Sequence, residues 1–339
     1  MVVQTQSILV TGGAGYVGAV LVPKLLEDGL KVRVVDLFLY GEDVLDSVKE
    51  HPGLTLIKGD IRDRATITEA VSGVDTVLHL ACISNDPSFE LNPELGKSIN
   101  YDAFGMLVEE SQRAGVRRFI YASSGSVYGL SDAQDVTEDH PLRPLTDYSK
   151  FKIMCEEDLL AAASEQFVPV IIRPATLCGY SPRLRLDLTV NILTTHAVER
   201  GGITVFGGTQ KRPNLHIQDM VALYRLLLTL PDEKVAGKVY NAGYQNHTVA
   251  DIAKIVKQVV EEQFPEKAPI SIDTTPTDDL RSYHISSQKI ADELGFTPSH
   301  NIEDAVRDLC QAFSEGKIPS ALEDVRYYNV RLMKNIELV

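Results

Sequence analysis

Residues able to hold and move a proton lie close together near the middle of the sequence. Tyr148 and Lys152 stand four positions apart in YSKFK, which places both on one side of a helix. A lysine ammonium beside a phenol favours the phenolate, the form that removes a proton. The segment YASSGSVYG, residues 121–129, ends a predicted strand with serines, and a serine hydroxyl there can orient a substrate alcohol. These residue types predict acid–base chemistry on an alcohol.

A second candidate site is the glycine-rich segment SILVTGGAGYVGAVL, residues 7–21. Gly12, Gly15 and Gly18 are three positions apart, and Gly13 completes a G-x-G-x-x-G pattern with the last two. They follow a predicted strand and open a helix, the context of a dinucleotide fingerprint. Glycine allows the tight turn and lets bare backbone approach a pyrophosphate, which then meets the free N–H groups of the helix. The predicted cofactor-binding residues of this turn are Gly12, Gly15, Tyr16, Val17 and Gly18.

Asp36 supports a dinucleotide rather than a ligand-free turn. It ends the second predicted strand, VRVVD, where a carboxylate accepts hydrogen bonds from the adenosine ribose hydroxyls. The same charge repels a 2′-phosphate, so NAD is favoured over NADP. The alternative is a glycine turn that only packs a helix on a strand. The strand, the helix and the acidic residue together favour the cofactor.

The elements that must position these residues alternate along the first half of the chain. Six short runs are continuously apolar, as in buried parallel strands: ILVT, KVRVVD, LTLIKGD, DTVLHLA, RFIYASS and VPVIIRP. Helical segments separate them, which predicts an α/β fold with right-handed crossovers and a Rossmann-type, doubly wound parallel sheet. We expect an NAD-binding domain over 1–173 and a smaller C-terminal substrate-binding lobe over 174–315 that can return elements to the first domain. Residues 316–339 form a tail that the sequence does not place.

Composition excludes several classes of partner. The formal charge of −14 argues against nucleic acid and against anionic lipid, both of which require a basic surface. No apolar run reaches membrane-spanning length. The four cysteines are far apart, without metal-ligand spacing, so we expect no metal site and a reduced, cytoplasmic setting.

The sequence resembles the extended short-chain dehydrogenase/reductases, specifically the NAD-dependent nucleotide-sugar epimerase and dehydratase group. The similarity runs from about residue 7 to 315 and is carried by six motifs: TGGAGYVG at 11–18, GDI at 59–61, HLA at 79–81, SSGSVYG at 123–129, YSKFK at 148–152 and RPATLCG at 173–179. These motifs are specific in combination. The resemblance implies bound NAD and a nucleoside-diphosphate sugar as substrate.

The resemblance also assigns individual residues. It implies that Ser124 orients the substrate, that Tyr148 is the base, and that Lys152 binds the nicotinamide ribose while it tunes Tyr148. Asn100 corresponds to the family's structural asparagine behind the active site. Further cofactor positions implied by the resemblance are Asp60 and Ile61 beside the adenine, and Leu80 and Ala81 near the ribose and phosphates.

The second half is similar to the family's substrate lobe. Its segments SPRLRLDLTVN, TQKRPNLHIQD and DDLRSYHIS offer Asn191, Arg212 and Arg281 to a nucleoside diphosphate. Arginine suits a pyrophosphate because its planar fork donates two hydrogen bonds at once. For Arg183 and Arg185 a solvated loop or a structural ion pair is favoured over ligand binding. The substrate-binding prediction is Ser84, Ser124, Asn191, Arg212 and Arg281.

Departures from close relatives narrow the reaction. The family's 4,6-dehydratases carry Asp-Glu directly after the position of Ser124, whereas this chain has Gly125 and Ser126. Related decarboxylases place Glu, and 3,5-epimerases place Cys, where Ser126 stands. We therefore expect an NAD-dependent nucleotide-sugar epimerase that transiently oxidises a carbon of the sugar ring. The resemblance implies that this carbon is C4.

Two alternatives stay open at this point. A C4 dehydrogenase or ketosugar reductase of the same family would differ only in whether the intermediate leaves. A non-catalytic NAD-sensing regulator would typically have lost the tyrosine or the lysine, and Tyr148 and Lys152 are both present.

The resemblance further implies a homodimer. Helical segments around 94–114 and 149–163 correspond to those that pair as a four-helix bundle in relatives. They carry more apolar residues than one sheet face requires: Phe104, Leu107, Val108, Ile153, Leu159 and Leu160.

Overall fold

A seven-stranded parallel sheet forms the centre of the chain. The computed structural model describes residues 6–131, 133, 135–277 and 284–336. The strands are numbered by their order in the sequence. From one edge of the sheet to the other they lie in the order 3-2-1-4-5-6-10. The first six are the predicted strands, so the prediction of a doubly wound Rossmann-type sheet is confirmed.

The element bounds are as follows. The strands are β1 Ser7–Thr11, β2 Lys31–Asp36, β3 Leu54–Lys58, β4 Thr76–His79, β5 Arg118–Ala122, β6 Val168–Pro174, β7 Thr176–Cys178, β8 Gly202–Phe206, β9 Lys211–His216, β10 Lys238–Ala242, β11 Gln245–Thr248 and β12 Ser271–Thr275. The α-helices are α1 Gly18–Glu27, α2 Arg64–Val71, α3 Asp86–Phe89, α4 Pro93–Lys97, α5 Ala103–Arg113, α6 Asp147–Ala161, α7 Thr189–Arg200, α8 Ile217–Thr229, α9 Asp232–Val235, α10 Val249–Gln263, α11 Gln288–Leu294, α12 Ile302–Ser314 and α13 Asn329–Asn335.

The continuous apolar runs have a simple cause, which is that both faces of the sheet are covered. Successive side chains of a strand point to opposite faces. In β1, Ile8 and Val10 belong to one hydrophobic core and Leu9 to the other. In β6, Ile171 packs into the second core and its neighbours into the first. Because neither face of the sheet is in contact with water, these strands do not alternate between apolar and polar residues.

The predicted helical segment around 94–114 is divided into three parts. Helix α4 begins with Pro93, and the Asn92 side chain caps this helix by accepting from the N–H of Leu95. A π-helical turn over Ser98–Asp102 separates it from α5. Inside this turn Asn100 donates to the carbonyl of Ile83 and accepts from its N–H group, at 2.9 Å and 2.8 Å. The widened turn thus supports the loop that follows β4, and π-turns are frequent at functional sites.

The second half builds a lobe of its own and also returns to the first sheet. A three-stranded sheet (β11-β9-β7) and a two-stranded sheet (β12-β8) are covered by α7, α10 and α12, which share a separate hydrophobic core. Strand β10 pairs with β6, and α8 packs into the first core beside α1. The NAD-binding sheet is therefore completed by residues that follow position 173.

The C-terminal tail, which the sequence did not place, packs against the glycine turn. Ile318, Ala321 and Tyr328 are buried with Tyr16 in one small core. The backbone N–H of Leu186 donates to the carbonyl of Tyr327 at 2.9 Å. The tail thus fastens the loop before α7 to the start of α1.

Most apolar residues assigned to a dimer face are core residues of the single chain. Four of them are buried, namely Phe104, Leu107, Val108 and Leu159. The other two, Ile153 and Leu160, are partly buried. The excess of apolar residues on α5 and α6 reflects packing on the sheet and on each other, because a buried helix pair needs two apolar faces. These four residues do not support a dimer.

A buried ion pair joins α6 to the sheet. Arg173 of β6 and Glu156 of α6 approach to 2.6 Å, and both are almost fully buried. Ser123 donates to the same carboxylate, and Arg173 also donates to the Tyr128 hydroxyl at 2.8 Å. Tyr128 in turn donates to Asn241 of β10 at 2.7 Å. Both charged groups are thus paired and hydrogen-bonded, and their network connects the ends of β5, β6 and β10.

We expect Glu156→Ala to lower the free energy of unfolding by about 3–5 kcal/mol, because Arg173 would keep its charge in the core without a partner. The neighbouring Glu157 is exposed on the same helix, so Glu157→Ala should change it by less than about 0.5 kcal/mol. Urea unfolding followed by circular dichroism measures both. Equal effects of the two substitutions would show that the ion pair does not hold the helix.

Candidate active site

The glycine turn after β1 is packed too tightly to accept a residue with a side chain at Gly12 or Gly18. Gly12 has φ +72°, and a Cβ there would lie 2.7 Å from the backbone nitrogen of Ala81. A Cβ on Gly18 would lie 2.4 Å from the carbonyl oxygen of Gly13. The turn therefore brings β1 and α1 close together and leaves backbone facing the cavity above it. This cradle fits a dinucleotide pyrophosphate.

Asp36, at the end of β2, fixes this turn as well as facing the cavity. Its carboxylate accepts from the backbone N–H groups of Ala14 at 2.9 Å and of Phe38 at 2.8 Å. Burial raises the pKa of Asp36, and these N–H groups together with the charge of Arg183 act in the opposite direction. One residue therefore positions the turn and also places a carboxylate in the cavity lining.

A cavity of about 490 Å³ lies over the carboxyl ends of the central strands. It brings together every predicted cofactor residue with the predicted acid–base residues. Lining residues from the prediction are Gly12, Gly15, Tyr16, Val17, Gly18, Asp36, Asp60, Ile61, Leu80, Ala81, Ser124, Tyr148 and Lys152. Residues from six separate segments of the chain thus share one site, as expected at the crevice of a doubly wound sheet.

Tyr148 and Lys152 sit on the same side of α6 and are both nearly buried. The Lys152 ammonium donates to the carbonyl of Ala122 at 2.7 Å. It lies 5.7 Å from the ring centre of Tyr148 and 4.9 Å from that of Tyr121. A cation fixed beside the phenol stabilises the phenolate that a base requires.

His79 lies beneath this pair and is held as a neutral core residue. Its Nδ1 is 2.7 Å from the Thr11 hydroxyl, and its ring stacks on Tyr121 with centroids 5.8 Å apart. Burial, and next the charge of Lys152, lower the pKa of His79 to about 3. The imidazole is thus uncharged at neutral pH and serves the core.

A chain of hydroxyl groups extends from Ser124. The Ser124 and Ser126 hydroxyl oxygens are 2.8 Å apart, and Ser126 is 2.8 Å from the hydroxyl of Ser149. Thr146, the N-cap of α6, lies 3.3 Å from Ser149 and donates to Asp86 at 2.6 Å. Because a carboxylate only accepts hydrogen bonds, Asp86 fixes the direction at its end of the chain. The Ser124 hydroxyl is thereby linked to Asp86 through three other hydroxyl groups.

The predicted substrate residues divide into three groups. Ser84 and Arg212 line the cavity. Asn191 does not: it is fully buried and bonded to the Gly179 N–H at 3.0 Å, and to the Tyr16 hydroxyl at 3.2 Å. This amide therefore joins the substrate lobe to the glycine turn. Arg281 lies outside the described residues.

Sequence reasoning missed residues that the fold brings to the cavity from a distance. Arg183, Tyr40, Asn329 and Met333 all line it. The two arginines of SPRLRLDL differ, because Arg185 forms the predicted structural ion pair, with Asp187 at 2.9 Å, whereas Arg183 does not. The sequence carried a signal for Arg183 in its arginine-rich loop, but none for the tail residues.

A doubly wound sheet that holds a glycine turn and a Ser-Tyr-Lys set over one crevice defines the class of extended short-chain dehydrogenase/reductases. The family model described as NAD dependent epimerase/dehydratase matches residues 8–243, and the chain belongs to that family. It is therefore an enzyme, and its cofactor is NAD.

Relatives of two activities are about equally similar to this chain. A UDP-glucose 4-epimerase of Cyamopsis tetragonoloba is 30% identical over 331 residues, which cover 90% of this chain and 94% of that protein. A dTDP-glucose 4,6-dehydratase of Streptomyces griseus is 29% identical, with 89% and 92% covered. Similarity alone therefore does not distinguish the two reactions.

Solved structures share the whole architecture. A UDP-glucose 4-epimerase of Thermotoga maritima with UDP-glucose has a TM-score of 0.80 and 25% identity, covering 91% of this chain and 99% of that one. A dTDP-glucose 4,6-dehydratase of Streptomyces venezuelae, with NAD and TYD bound, has a TM-score of 0.81 and 24% identity, covering 92% and 98%. In the described part of the chain no helix has the length and apolarity needed to cross a bilayer.

We expect Asp36→Ala to weaken NAD binding about tenfold or more, since it removes the ribose acceptor and releases the Ala14 N–H. Affinity for NADP should fall less or rise, because the charge that repels a 2′-phosphate is gone. Fluorescence titration with both dinucleotides measures this. Asp28→Ala, at a surface ion pair with Arg225, is the control. Unmodified protein that binds NADP as tightly as NAD would contradict the role given to Asp36.

Proposed function

We propose that the enzyme epimerises a nucleoside-diphosphate sugar by transient oxidation at a ring carbon, C4 by the family resemblance. One observation carries the proposal. The Ser124, Tyr148 and Lys152 side chains line the same cavity as the cofactor turn, and the groups next to Ser124 are hydroxyls, not carboxylates. This equips the site for proton and hydride transfer but not for elimination.

The cavity lining supports this distinction. Among the described residues that line it, there is no glutamate. The four aspartates of the lining are otherwise engaged. Asp36 holds backbone N–H groups and Asp60 pairs with Arg62, while Asp187 pairs with Arg185 and Asp86 accepts from Thr146. Water elimination needs an acid and a base beside the reacting carbons. A Ser126 hydroxyl in place of a carboxylate does not supply that pair.

The chain's own residues perform the proton chemistry. Tyr148, as phenolate, removes the proton of the sugar hydroxyl and returns it when the ketone is reduced. Lys152 keeps the phenolate stable through both steps. Ser124 holds the sugar oxygen in place with its hydroxyl group. NAD bound at the glycine turn would supply the acceptor for the hydride and, once the keto sugar has turned, the donor that returns it to the sugar's other face.

The experiment that tests the proposal uses enzyme loaded with one equivalent of NAD and no excess. A panel of UDP-, GDP-, CDP- and dTDP-sugars is followed by NMR. An epimerase converts many equivalents of sugar on that one cofactor. A dehydrogenase or a ketosugar reductase of the same family stops after one equivalent, and a non-catalytic NAD-sensing protein produces no conversion.

With the substrate identified, Tyr148→Phe should reduce turnover by about a hundred- to ten-thousandfold, because it removes the base and little packing. Lys152→Met should reduce it similarly and also weaken NAD, whereas Ser124→Ala should cost less than Tyr148→Phe. Circular dichroism and an NAD titration show whether fold and cofactor binding survive. Tyr244→Phe, at an exposed tyrosine, is the matched control. Near-normal turnover of folded Tyr148→Phe enzyme would overturn the mechanism.

We also propose that the enzyme is a homodimer through the helices around 94–114 and 149–163. Tyr101, Met106 and Phe151 stay partly exposed on these helices and are available for a partner. Sedimentation velocity at micromolar concentration should show a species of twice 37.3 kDa. A single species at 37.3 kDa would exclude this assembly.

A further inference from the structure

Arg183 is a buried cation that no carboxylate pairs with in the part of the chain that the structure describes. Its side chain lines the cavity, and only 4% of the residue is exposed. Its Nε has no hydrogen-bond partner among the described residues. Burying a charge without a counter-charge is costly. Such a group in a binding cavity indicates that an anion completes it.

The guanidinium is nonetheless held firmly on two sides. It lies 3.5 Å from the ring centre of Tyr40, in a cation–π contact, and its Nη2 donates to the amide oxygen of Asn329. Burial lowers the pKa of Arg183 only to about 10, so the group stays charged at neutral pH. Its fork is thus positioned before any ligand arrives.

The position of Arg183 identifies which anion it meets. Tyr40 belongs to the loop that follows Asp36. The charge of Arg183 acts on Asp36 and on Tyr16, and it also acts on Asp187. Tyr40, Asp36 and Tyr16 belong to the half of the cavity built around the glycine turn. In that half the turn offers a pyrophosphate only backbone N–H groups and no side-chain charge.

The other cations of the cavity are committed elsewhere. Arg185 is bidentate to Asp187, and Lys152 donates to the carbonyl of Ala122 beside Tyr148. Arg212 lies on β9 in the substrate lobe. Arg183 is therefore the cation placed to balance the cofactor's phosphates.

We propose that Arg183 binds the pyrophosphate of NAD from the side opposite the glycine turn, and that Tyr40 and Asn329 hold it there. The inference depends on NAD as the cofactor and not on the epimerase proposal. It gives the C-terminal tail a function, because Asn329 also donates to the Ser84 hydroxyl at 2.9 Å on the substrate side. Release of NAD then requires Arg183 to give up a charge-assisted contact.

The test measures ligand binding, without turnover, by calorimetry and stopped-flow fluorescence. Arg183→Met should weaken NAD and ADP-ribose by the same factor, about ten- to a hundredfold, and should speed NAD release. Adenosine, which lacks the pyrophosphate, should bind nearly unchanged. Arg183→Lys should lose less than Arg183→Met. Arg225→Met removes an arginine from a surface ion pair with Asp28 and is the control.

Other outcomes would overturn the proposal. Weaker UDP or dTDP binding with unchanged NAD would assign Arg183 to the substrate's pyrophosphate. Equal loss of adenosine affinity would mean that the residue shapes the pocket without contacting phosphate, and a larger loss for NADP than for NAD would assign it to the ribose 2′ position. Should Arg183→Met fail to fold, Asn329→Ala decides: it should weaken NAD and ADP-ribose, but not adenosine, because it frees the guanidinium while leaving its charge.

Discussion

The placement of the acid–base residues depends on one buried ion pair. Tyr148, Lys152 and Glu156 follow one another at intervals of four and form one stripe of α6. Arg173 of the adjacent strand holds Glu156 at 2.6 Å, so the helix cannot slide or rotate on the sheet without separating buried charges. One turn earlier the same stripe delivers Lys152 to the Ala122 carbonyl, and one turn before that it delivers Tyr148 to the cavity. Structural charge thus fixes catalytic geometry.

The sheet topology explains why a cofactor turn and a catalytic helix meet at all. The chain leaves the central strands β1 and β4 in opposite directions along the sheet, which opens a crevice at their carboxyl ends. The glycine turn follows β1, and the loop carrying Ser124 follows β5 on the other side. The structural asparagine in the π-turn supports the backbone after β4 between them. The crevice therefore brings Tyr148 and the glycine turn into one cavity, although they lie far apart in the sequence.

How much the sequence predicts depends on the range of the interaction concerned. Local rules were sufficient to predict the six central strands and to predict that the glycine turn, Asp36, Tyr148 and Lys152 lie at their carboxyl ends. The placement of Arg183 and Asn329 in the cavity was not predicted, because it follows from a contact between segments 146 residues apart. Apolar residues on a helix, likewise, do not reveal whether a sheet, a second helix or another chain covers them. That distinction requires the packed structure, which assigns most of those on α5 and α6 to the core.

The tail joins two sides of the cavity through one side chain. Asn329 touches Arg183 with its amide oxygen and Ser84 with its amide nitrogen, so a single side chain faces the cofactor half and the substrate half of the cavity. An epimerase must keep its reduced cofactor and its keto sugar in place until the hydride returns. A buried network that contacts both halves opposes the loss of either ligand, because opening one half would leave polar groups of the other unpaired. On this argument a net dehydrogenase, which must exchange its cofactor at every turnover, would gain nothing from such a tail.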